Sequence, residues 1–129
     1  MRTVFMVALG GAIGAVLRYI VSGYVQQMTR SAPLPYGTLA VNVMGCFVIG
    51  LLSQAVEYRG IFTSDSRALL FVGVLGSFTT FSTFSNESLD LWRRGEEAFA
   101  LMNIGVHVGL GLIMIWLGRV SGQVLWGGY

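Results

Sequence analysis

No lysine occurs in this chain; all eight basic residues are arginine, set against six acidic ones. The resulting net charge of +2 is too small to argue for nucleic acid as a partner. Charge of either sign is scarce, at 11% of residues, where a soluble domain carries about 25%. The chain therefore reads as an integral membrane protein. Cysteine is nearly absent as well. Cys46 is the single thiol, so neither a disulfide framework nor a cysteine metal site is available, and its place in an apolar run reads as core packing. No GxxxxGKS pattern occurs to cradle a nucleotide phosphate. No soluble domain, linker, low-complexity tract or repeat is visible.

What is present is hydrophobicity, at 54% of residues, gathered into four runs over 4–25, 37–56, 68–92 and 98–118. The last can continue toward Trp126. Each is about 20 residues or more, which at about 1.5 Å per residue crosses a hydrocarbon core of about 30 Å. The expected fold class is an all-α membrane protein, one domain of four transmembrane helices spanning 1–129. Arg2, an apolar run and the small residues from Gly11 to Ala15 imitate a signal peptide, but the hydrophobicity runs on to Val25, so cleavage is not expected. With four spans, Arg2, Arg59, Arg67 and Arg119 fall on one side and Arg18, Arg30, Arg93 and Arg94 on the other. Orientation normally follows an excess of Lys and Arg in cytoplasmic loops. An even tally is either the noise of a small chain or the mark of insertion in both orientations; the residues alone do not choose.

The third run is interrupted. Ser77 through Ser85 are all Ser, Thr or Phe, and six of these nine carry hydroxyls. An apolar bilayer makes each unsatisfied polar group cost several kcal/mol. Gly73 and Gly76, just ahead, add helix-weakening residues. Polar or broken backbone at membrane depth is tolerated only where protein buries it or where it lines a cavity. The third helix is thus expected to be broken mid-membrane, with function located there. Helical rise compares depths from the face carrying the first and third loops: Asn42 lies about 8 Å in, Phe84 about 6 Å, Phe81 about 10 Å and Arg18 about 9 Å. His107 falls near the midplane.

Each of these residues has a plain reading. Arg18 can snorkel to the headgroups, Asn42 can bond a neighbouring helix, His107 can be a satisfied core residue, and the Phe rings can be filling. Taken together they share a chemistry: an amide NH₂, hydroxyls and the electropositive edges of rings, all donors. The spans contain no Asp or Glu until Glu87 and Asp90. A cation path wants carboxylates or carbonyls and a proton relay wants linked ionisable groups, whereas a path of neutral donors suits a small anion. Gly10/Gly14, Gly105/Gly109 and Gly118/Gly122 have the spacing that lets helices approach closely. Four short helices enclose little, so a pathway with a stable core calls for a second copy.

Three motifs resemble the Fluc (CrcB) fluoride channels of bacteria over nearly the whole length. They are Gly10-Gly11-Ala12-Ile13-Gly14-Ala15-Val16-Leu17-Arg18-Tyr19, the stretch Gly37 to Gly45 around Asn42, and Gly76 through Phe84 with its Thr-Thr-Phe-Ser-Thr-Phe-Ser core. Relatives often have Gly-Leu where this chain has Ser77-Phe78. The resemblance implies an antiparallel, dual-topology homodimer in the bacterial inner membrane, with two fluoride pathways. It implies that the edges of Phe81 and Phe84 face fluoride, that Asn42 offers its amide, and that Ser82 and Thr83 continue the polar path. Arg18 would lie toward a pore vestibule. A structural Na⁺ at the dimer centre would sit on main-chain carbonyls of Gly76 and Thr79. The implied role is passive export that relieves fluoride toxicity.

Two rivals differ in class. A small dual-topology multidrug-type transporter needs a membrane-embedded carboxylate, which the first span lacks. An intramembrane hydrolase built on Ser82 and His107 needs a base held by a third group, and no Gly-x-Ser-x-Gly or Gly-Asp context supplies one. No enzymatic role is expected.

Overall fold

Four long apolar runs fold into four helical spans in a computed structural model that describes residues 1–60 and 62–127. They are α1 (Arg2–Met28), α2 (Tyr36–Arg59), a segmented third span (Ser64–Arg93), and α6 (Glu97–Trp126). Each is long and apolar enough to cross a membrane. The third span consists of α3 (Ser64–Arg67), a π-helical segment (Ala68–Leu75), α4 (Gly76–Phe78) and α5 (Phe81–Arg93). Every helix runs beyond the apolar stretch that marks it, because terminal turns tolerate polar residues at the membrane surface.

The ends are fixed by local chemistry. Thr63 accepts the Ser66 N–H at 3.2 Å and caps α3. Asp65 in that turn pairs with Arg2 at 2.8 Å and accepts from Thr3 at 3.1 Å, which ties the start of α1 to the start of the third span. Between α5 and α6 the chain reverses through Gly95, whose φ of +79° is the left-handed region that favours glycine.

Glycine sets the packing. A Cβ on Gly10 would meet the Leu69 carbonyl, and one on Gly14 would meet the Val74 carbonyl, so α1 lies directly against the π segment. On α6, Gly118 and Gly122 give the same close approach to Phe47 and Gln54 of α2, while Gly50 of α2 fits against Ile115. The α2–α6 contact is the most extensive among the described residues. The third GxxxG pair behaves differently: a Cβ on Gly105 or Gly109 would have nothing within 4 Å among the described residues. Gly76 is also not the break itself. Its φ of −62° and ψ of −32° are ordinary helix, and the interruption comes three residues later.

Candidate functional site

Thr79 (φ −85°, ψ 157°) and Thr80 (φ −151°, ψ 107°) are extended, and they split the third span near its middle. A helix that stops there strands backbone donors and acceptors away from water. Asn42 on α2 meets two of them. Its Oδ1 accepts the Thr80 N–H at 2.7 Å, and its Nδ2 donates to the Thr80 carbonyl at 3.1 Å. The opposed demands of Thr80 fix which way round the amide sits, and one Nδ2–H remains for another acceptor. The Thr80 hydroxyl then starts the next helix: it accepts the Thr83 N–H at 3.2 Å and donates to Thr83 Oγ1 at 2.9 Å. Ser82 Oγ lies 3.3 Å from the same oxygen.

These bonds alter the carbonyls upstream. In a continuous helix Gly76 would bond the Thr80 N–H, and Thr79 would bond the Thr83 N–H. Both donors are taken, one by Asn42 and the other by the Thr80 hydroxyl. Two main-chain oxygens thus lose their helical partners, and their residues line the same cavity. Carbonyls freed at a helix break are the kind of ligand that suits a small hard cation.

That cavity, of about 390 Å³, also holds Asn42, Phe81, Phe84 and His107 in its wall. The Phe81 and Phe84 centroids are 5.5 Å apart with the planes at 57°, and Phe84 and His107 follow at 4.4 Å and 36°. Phe84 is buried, at 8% exposure, while Phe81 is 78% exposed. Behind Phe84 a chain of hydrogen bonds joins α5 to α6. Ser88 donates to the Phe84 carbonyl at 2.8 Å, Asn103 donates to Ser88 Oγ at 2.9 Å, and His107 Nδ1 lies 3.0 Å from the Asn103 carbonyl.

The residues singled out from the sequence divide between two faces of the break. Asn42, Gly76, Thr79, Phe81 and Phe84 share the cavity. Arg18 and Thr83 line a separate groove of about 400 Å³ between α1, α2 and the break, beside Ser22 and Thr38. Thr80 belongs to both walls. Ser82 is exposed. His107 is not a layer away from Phe84, as rise alone suggests, but in ring contact. Side chains lean toward the N-terminus of their helix. In antiparallel α5 and α6 that brings Phe84 and His107 toward each other.

Sequence reasoning passed over Thr80, although its spacing to Thr83 is that of an N-cap. It also passed over the Thr38 hydroxyl, which donates to Glu87 at 2.7 Å, and the Ser88–Asn103 pair. No local signal marks those pairings, since each joins two different spans.

The fold and site define a multi-pass membrane protein whose broken span gathers neutral donors and aromatic rings around a cavity, with no carboxylate in its wall among the described residues. The chain belongs to the CrcB-like family, described as CrcB-like protein, Camphor Resistance (CrcB), whose family model matches residues 5–119. It is 44% identical over 121 residues to a protein of Methanosarcina acetivorans named fluoride-specific ion channel FluC 1, covering 94% of this chain and 91% of that one. It is 44% identical over 119 residues to the fluoride-specific ion channel FluC of Shewanella halifaxensis, covering 92% and 94%. The protein of that name from Rhizobium etli is 46% identical over 111 residues, covering 86% and 88%.

Proposed function

We propose that this protein is a passive, fluoride-selective channel that exports fluoride, and that it is not an enzyme. The observation that carries the reading is the amide of Asn42 closing the break beside the Phe81–Phe84 pair. A small, strongly hydrated anion must have its water replaced by donors along the way. Asn42 keeps one N–H for that purpose, and aromatic edges carry positive charge. Phe81 and Phe84 are the rings that face the ion, and Ser82 and Thr83 continue the path. Arg18, sharing a groove with Thr83, belongs to a vestibule. Relatives named as channels over nearly the whole chain support this reading and leave the multidrug-type alternative without support.

The working unit is an antiparallel homodimer of dual topology in the bacterial inner membrane. Support comes from the four-to-four arginine tally and from Phe81, a site residue left largely uncovered by its own protomer. A structural Na⁺ at the dimer centre would be held by the Gly76 and Thr79 carbonyls, supplying positive charge that fixes two protomers about one point. From acidic surroundings fluoride enters the cell as neutral HF and dissociates inside; an inside-negative potential then drives the anion out through the pore.

Purified protein in liposomes should release fluoride and not chloride, read with ion-selective electrodes. Phe81→Ile and Phe84→Ile should each lower fluoride flux by orders of magnitude, every tenfold corresponding to about 1.4 kcal/mol on the barrier. Near-normal fluoride flux in both variants would remove the rings from the pathway. Proton-coupled flux of organic cations would replace the channel reading with a transporter.

A further inference from the structure

His107 is the chain's one histidine, and its two ring nitrogens are in different situations. Nδ1 lies 3.0 Å from the Asn103 carbonyl. A carbonyl only accepts, so Nδ1 carries a hydrogen. In the neutral ring that leaves Nε2 bare, as an acceptor. Nε2 is buried and has no hydrogen-bond partner among the described residues. The face of the ring lies against Phe84 with centroids 4.4 Å apart, in the cavity wall that also holds Asn42 and Phe81.

We propose that His107 is a proton-dependent member of the anion site: protonated at Nε2, it adds a donor and a positive charge behind Phe84, so that fluoride passes more readily as the ring gains a proton. This rests on the channel reading above. A bare nitrogen lone pair in a site for an anion is repulsive, whereas an imidazolium offers N–H on both sides. Its charge against the face of Phe84 is also a cation–π contact, within the distance of about 6 Å over which such contacts act. Electron density drawn to that face leaves the opposite ring edge more positive toward the ion. The proton comes from water, and no other bond is made or broken. The Asn103–Ser88–Phe84 chain keeps the imidazole in register with Phe84 in both states.

The surroundings leave the titration to His107. From α2 it shares the cavity wall with Asn42 and Cys46, and from α5 with Phe81 and Phe84. Cys46 is the other titratable side chain in that wall. Glu87, Asp90 and Arg94 line a different depression, beside Pro33 and Pro35.

The test uses the full chain in liposomes, with sodium fluoride as the probe and protein-free vesicles to subtract HF leak. Wild-type flux should rise about threefold or more as the pH falls from about 8 to about 5, a window that reaches below the ordinary histidine range. His107→Gln keeps polar atoms at the position without titrating, and its flux should be independent of pH. Nitrogen-15 NMR of the single histidine gives a second reading that does not depend on a variant. Nε2 should be the bare nitrogen in the neutral ring, and sodium fluoride, unlike sodium chloride, should move its protonation to higher pH. A flat wild-type profile, a His107→Gln profile with the wild-type slope, or a titration indifferent to fluoride would each overturn the proposal. Absence of fluoride flux at every pH would overturn the channel reading and this inference with it, whereas flux that is present but flat overturns this inference alone.

Discussion

Asn42 answers two opposite demands with one side chain, accepting from Thr80 N–H and donating to Thr80 C=O. No aliphatic residue can do either, and a carboxylate would set oxygen against oxygen. Leaving a buried backbone group unsatisfied costs about 1–3 kcal/mol. Asn42→Ala should therefore lower stability by about 2 kcal/mol or more, read as thermal unfolding in detergent, and should abolish fluoride flux. An Asn42→Ala protein as stable as the wild type would end the role of Asn42 as a clamp. The sequence marked Asn42, Phe81 and Phe84 because polar and aromatic residues are conspicuous among aliphatic ones. It could not mark Thr80 as their hub, since that follows from which N–H loses its helical partner. Nor could it pair His107 with Phe84, because rise along an axis ignores the lean of side chains.

At the scale of elements, the four spans were legible from length and hydropathy, and so was the interruption of the third. The π-helical segment before it was not. Ala68–Leu75 is a plain apolar run, and its unusual hydrogen bonding accompanies the direct packing of its backbone on Gly10 and Gly14. GxxxG spacing was likewise ambiguous, being the same in pairs that pack and in the pair that does not. The structure separates them. Gly14→Leu should displace the third span, with a loss of about 1–3 kcal/mol or more from overpacking, whereas Gly105→Leu should leave the packing within the chain intact. Thermal unfolding and gel filtration in detergent would compare the two; equal tolerance would mean that α1 and the π segment are not as closely apposed as described.

For the whole molecule, orientation is the open degree of freedom, and the even arginine tally puts it at risk. In a Cys46→Ser background, Ser31→Cys places a thiol in the exposed α1–α2 loop. An impermeant thiol reagent should reach comparable amounts from each membrane face, about half from either side. Labelling from one face only would sink dual topology. The interruption at Thr79–Thr80 also sets the electrostatics of the site. Peptide dipoles add along a helix to about half a positive charge at its N-terminus and half a negative charge at its C-terminus. At the break, the carbonyl end of α4 and the amide end of α5 are set side by side. One gap in one helix thereby offers electronegative and electropositive poles a few residues apart. No substitution of a charged side chain can erase those poles.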